Sequence, residues 1–293
     1  MSTYEAFGSE TKRKALIDDI AQKGEVYERW LTRASVEGDI GFVSDEYGLH
    51  PALARLLPAL GAFGEAEDTS GFYEALFTAI PLGADTGRLA RQSVLLAWSD
   101  PVYGRANLIE QGPVREACTG IADLVARSME QPVDKKAWRA TRAKLVAVRG
   151  GEDAATAAAL DLMMSLAWDL DQAPGAAHDV ISAWASAIDK EADAADEDRF
   201  SEEEEAAFAA AMNAINEQAM GELAKRQSLE TIDVDEFLAE AERLWSAEPE
   251  RRALKERSIA RRERTKAKMA QWRAHVQQHI LALAAPALER QGG

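Results

Sequence analysis

His275 and His279 stand four residues apart in a stretch of helical periodicity, so both imidazoles leave one face a turn apart. That spacing suits two ligands of one metal ion. A metal site needs a third or fourth ligand, and no residue close to them in sequence supplies one. The pair therefore reads as two polar residues flanking a packed seam of Met269, Trp272, Val276 and Leu283. Cys118 is the single cysteine, which precludes an intrachain disulfide and fits a reducing cytoplasm. It shares a helical face with Val114, Ala117, Ile121, Val125 and Met129, so it is expected in the core, where a thiol is inert.

Three further groups resemble metal-dependent sites. His178-Asp179, with Asp169 and Asp171 shortly before, resembles the His-Asp pair of helical metal-dependent phosphohydrolases. That resemblance implies another histidine upstream, and the upstream histidine here is His50, in a loop beside Pro51. Next to the Pro174-Gly175 turn, His178 and Asp179 also fit ordinary helix-start chemistry. Glu202, Glu205, Glu230 and Asp233 form a Glu-x-x-Glu and Glu-x-x-Asp pattern that resembles the magnesium site of all-α nucleotide pyrophosphatases. Such a site needs carboxylates converging from facing helices on a hard cation; here one pair lies in an acidic run and the other precedes its helix. Thr231 to Phe237 looks like the end of an EF-hand calcium loop, with Glu236 as the bidentate ligand. Counting back puts Lys225, Gln227 and Leu229 at the first ligand places, and a lysine there repels calcium. Asp233 or Asp235 then caps the next helix. No His-Glu-x-x-His, Gly-x-x-x-x-Gly-Lys or Gly-x-Ser-x-Gly motif occurs. No catalytic residue, metal or cofactor is expected.

The charge is unevenly spread. Ten basic side chains fall between residues 251 and 273: Arg251, Arg252, Lys255, Arg257, Arg261, Arg262, Arg264, Lys266, Lys268 and Arg273. Against Glu256 and Glu263 they give the segment +8, so a chain of net charge −16 carries −24 elsewhere. Between Lys255 and Lys268 the one large apolar residue is Ile259, so this helix cannot be packed on several sides. It is expected either to lie on the protein's own acidic surface, to meet an acidic patch of another protein, or to bind nucleic-acid phosphate. The acidic remainder repels a polyanion, and the interleaved aromatics of single-strand binders are missing.

Stripes of apolar residues at three- and four-residue spacing recur throughout: Leu53, Leu56, Leu57 and Leu60; Phe72, Leu76, Phe77 and Ile80; Trp138, Leu145 and Val148; Val180, Ile181, Trp184 and Ile188. They predict an all-α fold of at least eight helices. The segment from Ala154 to Leu170 is apolar nearly all round and is expected at the centre, with Leu162 and Leu166. Ile40 to Val43 reads as a short extended piece. From Glu191 to Glu205 nine of fifteen residues are acidic, and Ser201 with Glu204 makes a capping box. The reading is a multi-helix, bundle-like domain over 1–190, an acidic linker over 191–200, and a smaller helical region over 201–293, about three helices of which the last is long and basic. A bacterial-looking, cytoplasmic protein without a membrane span is expected.

The balance leans away from an enzyme and towards a non-enzymatic helical interaction protein (adaptor, inhibitor or immunity-type binder), its partner another protein engaged through the basic helix. The alternatives are a metal-dependent nucleotide or phosphoester hydrolase and a nucleic-acid-associated subunit.

Overall fold

Alanine-rich stripes punctuated by Gly and Pro make the described residues 77% helical, far above the third typical of globular proteins, so the fold class is all-α. The computed structural model describes residues 4–23, 41–61, 66–150, 153–226 and 233–285. Among them are twelve α-helices and no strand, apart from one isolated bridge between Glu5 and Asp85. The helices are α1 (Glu10–Lys23), α2 (Gly41–Tyr47), α3 (Pro51–Gly61), α4 (Ala66–Ala79), α5 (Thr86–Ser99), α6 (Pro113–Ser128), α7 (Lys135–Ala147), α8 (Ala154–Leu166), α9 (Ala176–Ala194), α10 (Glu202–Ala224), α11 (Val234–Ala247) and α12 (Pro249–Ala284). Gly41 to Val43, expected to be extended, open α2; Ile40 lies outside the described residues.

Caps set the helix starts. Asp134 accepts from the Lys136 N–H, Asp153 from Ala155 and Thr156, and Asp233 from Asp235. Ser201 and Glu204 close the capping box of α10. Each satisfies a backbone donor that a helix leaves orphaned.

The chain forms two compact units, residues 1–188 with 269–293, and residues 189–268. This divides the expected C-terminal region at Lys268, because the rest of α12 returns to the first unit. The acidic stretch is also partly helical, as α9 continues to Ala194. In the first unit one core gathers the expected stripes; Trp138, Leu145, Leu162, Leu166, Val180, Ile181 and Trp184 are all buried. α6 packs on α5, α7 and α8. Met269, Trp272, Val276 and Ile280 of α12 belong to the same core, and the Trp184 and Trp272 rings meet edge to face, centroids 5.4 Å apart. Cys118 is fully buried, and burial pushes its thiol up to about 11. The second unit has a thin core: Ile215 and Ala219 of α10 against Ala241, Leu244 and Trp245 of α11. No helix among the described residues is long and apolar enough to cross a membrane.

Candidate functional site

Within the second unit the basic segment meets the acidic one. Arg257, Arg261, Arg264 and Lys268 recur at intervals of four, three and four, so they share a face of α12. Arg257 grips Glu204 with both terminal nitrogens, at 2.6 and 2.9 Å, and donates to the carbonyls of Asp198 and Arg199. Its guanidinium lies 4.4 Å from the centroid of the Phe200 ring. Arg261 holds Asp193 at 2.7 and 2.6 Å and approaches Glu205. Arg264 holds Asp196 through two bonds of 2.8 Å and reaches Asp198 at 2.9 Å. Lys268 donates to the Ala192 carbonyl.

These are two-pronged Arg–carboxylate pairs, the geometry in which a planar guanidinium binds most selectively. Hydrogen bonds from Arg264 hold the Asp196 carboxyl down at about 2, and those from Arg257 and the Ser201 N–H do the same for Glu204. The arginine partners are pushed up in turn.

A pH dependence follows. Both carboxyls are depressed in the folded state, so their stabilisation is complete above their ordinary values of 3.8 and 4.5 and is lost as the pH falls towards about 2. Protection factors of the amides in α10, exchange rates corrected for their intrinsic pH dependence, should therefore fall across that window while remaining steady from pH 7 to 5. A second unit indifferent to acid down to pH 2 would contradict the pairing.

The other basic residues are placed differently. Lys255 pairs with Glu242, Arg251 with Glu248 at 3.0 Å, and Arg252 donates to the Ser246 carbonyl. Arg262 and Lys266 are exposed, and Arg273 is buried in the first unit.

In the first unit His275 and His279 do find a third group. Asp100 caps the C-terminus of α5, its side chain 0% exposed. One carboxylate oxygen, Oδ1, accepts from the Val102 and Tyr103 N–H groups at 2.9 and 2.8 Å. The other, Oδ2, lies 2.9 Å from His275 Nε2 and 2.8 Å from His279 Nδ1. Burial raises this carboxyl, but the Tyr103 N–H, His275 and the Val102 N–H outweigh it and leave the group below its ordinary value. The turn is tightly fixed: a Cβ on Gly104 would sit 2.3 Å from the Asp100 carbonyl oxygen, so glycine is required there. Trp184 Nε1 donates to the Tyr103 carbonyl at 2.9 Å, and the Tyr103 ring stands edge-on to His275. Sequence spacing missed Asp100, whose one local signal is an Asp-Pro turn at the end of a helix.

A second polar cluster lines a cavity of about 490 Å³, a size that suits a small ligand. His50 is 3% exposed. Its Nδ1 accepts from the Ala52 N–H at 3.1 Å, so Nε2 carries the proton and donates to Asp171 Oδ1 at 2.9 Å. Arg91 donates to the same oxygen at 2.6 Å, to the Gly87 carbonyl and to Ser128. The structure thus joins His50 to Asp171, while His178 stands exposed and pairs with Ser182 on its own helix. The Nδ1 lone pair of His50 is engaged by the Ala52 N–H. The hydrogen bond from its Nε2, with that of Arg91, holds Asp171 well below the carboxylate range. A carboxyl held that low is unsuited to act as a general acid near neutrality.

Among the described residues the pyrophosphatase-like carboxylates are engaged elsewhere: Glu205 faces Arg261 and Asp233 caps α11; Glu230 lies outside the described residues. No protein family, no curated protein and no solved structure matches this chain.

Proposed function

We propose that the chain is a non-enzymatic helical interaction protein that engages another protein through α11 of its second unit. One observation carries this reading. Val234, Leu238, Ala241 and Trp245 form a continuous apolar stripe at four-, three- and four-residue spacing; Ala241 and Trp245 are buried, whereas Val234 and Leu238 are 70% and 56% exposed. Exposed apolar side chains in register with a packed seam are the usual mark of a surface that another helix completes. Asp233, Asp235 and Glu236 are exposed beside the open end, so the partner that fits is an amphipathic helix with basic residues flanking its apolar face.

This moves the interaction surface away from the basic helix. Arg257, Arg261 and Arg264 already have carboxylate partners, and a partner would have to displace them.

Photo-crosslinking distinguishes the surfaces. A crosslinking residue is placed at Leu238, at Arg262 on the basic helix, or at exposed Lys144 of the first unit as a control, in the cells that make the protein. The expected result is a discrete protein adduct at 238 alone, whose purified partner no longer binds Leu238→Asp while that variant keeps its helix content and melting temperature. An adduct at 262 with position 238 silent would return the partner to the basic helix. Silence at both would remove the interaction reading.

A further inference from the structure

We infer that Asp100, His275 and His279 form a binding site for one divalent transition-metal ion of the zinc class. The donor set decides the class: two imidazoles and one carboxylate suit zinc, cobalt, nickel or iron, whereas calcium and magnesium prefer oxygen alone. This site lies wholly in the first unit and stands independently of the interaction surface proposed for the second.

The spacing is right without rebuilding. Ligand atoms at about 2.0–2.2 Å from zinc lie roughly 3 Å apart when they subtend a right angle, and a little more in a tetrahedron. His275 Nε2 and His279 Nδ1 are 2.9 and 2.8 Å from Asp100 Oδ2, and all the donor atoms fall within 4.8 Å of one another. Rotation of the two imidazoles, whose donor nitrogens lie within 4.8 Å of each other, brings them to the roughly 3.4 Å of a tetrahedral pair and admits an ion.

The surroundings also hold the ligands in place, as outer-shell groups do in metal sites. Two backbone N–H groups occupy Oδ1 of Asp100, and His275 Nε2 lies nearer Oδ2 (2.9 Å) than Oδ1 (3.1 Å), which favours Oδ2 as the coordinating oxygen. The turn that carries them is pinned by Trp184, and both histidines project from one face of α12 beside buried Trp272 and Val276. Access is open on one side: the His275 and His279 side chains are 24% and 38% exposed, so water can complete the coordination.

Without an ion the same atoms form a hydrogen-bonded clamp, with each imidazole donating to Oδ2. Binding then requires the proton on each coordinating nitrogen, Nε2 of His275 and Nδ1 of His279, to leave it.

The test is calorimetric titration of the untagged chain with Zn²⁺, together with the visible absorption of the Co²⁺ form. The chain has only four histidines, which keeps adventitious binding low. One equivalent per chain is expected, with a rise in melting temperature and cobalt bands of a nitrogen- and oxygen-ligated ion. Half-exposed His279→Ala, His275→Gln and Asp100→Asn, which keeps an oxygen to accept the turn N–H groups, should each weaken binding at least about tenfold, the scale of losing even an outer-shell partner. His178→Ala should leave it unchanged. If no equivalent binds up to about 100 μM, or if binding survives both His279→Ala and His275→Gln, the three residues are a hydrogen-bonded clamp and the site is overturned. Circular dichroism of each variant separates a lost ligand from a lost fold.

Discussion

Trp272→Ala is expected to destabilise the first unit by about 3–5 kcal/mol, the usual cost of emptying an aromatic site in a core. The ring is 0% exposed and meets Trp184, itself 0% exposed, edge to face. Trp184 also ties the Tyr103 turn in place, so the cavity opens beside a ring that is itself held by that bond. Against a total stability of 5–15 kcal/mol typical of native domains, such a loss is large. Cys118 supplies a readout confined to this unit, because it is fully buried in the same core and reacts with a thiol reagent only when that core opens. Its labelling rate should rise steeply in the variant. Ile259→Ala, on the same helix but in the second unit and 48% exposed, should change stability by no more than about 0.5 kcal/mol. If the two substitutions act alike, α12 is not divided as described.

The second large effect is expected from changing Arg257, Arg261, Arg264 and Lys268 together to Gln. Isolated surface ion pairs contribute little, but these side chains act as a set. Three of them are two-pronged grips on Glu204, Asp193 and Asp196, and all four face one acidic stretch. Removing the cations leaves carboxylates in a run of nine acidic residues out of fifteen facing one another without counter-charge. The second unit, with its thin core, should melt several degrees lower, and the deficit should shrink as salt screens the repulsion. Arg262→Gln, on the exposed side, should leave the melting temperature nearly unchanged. An unaltered melting curve for the fourfold variant would mean that these charges are dispensable for folding and available to a partner.

The helices were legible because burial writes its period into the chain: Trp138, Leu145 and Trp184 lie where their stripes placed them. Caps were legible for the same local reason, as with Ser201 and Glu204. The acidic and basic runs were visible too, but their meeting was one of three readings, because the pairing of charges sixty residues apart depends on how the chain turns between them. Asp100 was out of reach on sequence grounds. An aspartate before Pro101 announces only a turn, and it acquires meaning when α12 brings two histidines to it, His275 from 175 positions away and His279 from a turn further on. Nothing in the spacing of His50 and Asp171 shows their contact either, although both had been noticed.

The order of synthesis gives the return of α12 to the first unit a further consequence. A ribosome that has made Trp184 must add the whole second unit before it makes Trp272, an interval of roughly 4–18 s at about 5–20 residues per second. Through that interval Trp184 lacks the ring that covers it, and the nascent first unit presents an unfinished apolar surface. The second unit, contiguous in the chain, can assemble during the wait, whereas the larger unit closes only on a segment made after it. Chaperone binding to the growing chain should accordingly peak between the emergence of α9 and that of Trp272.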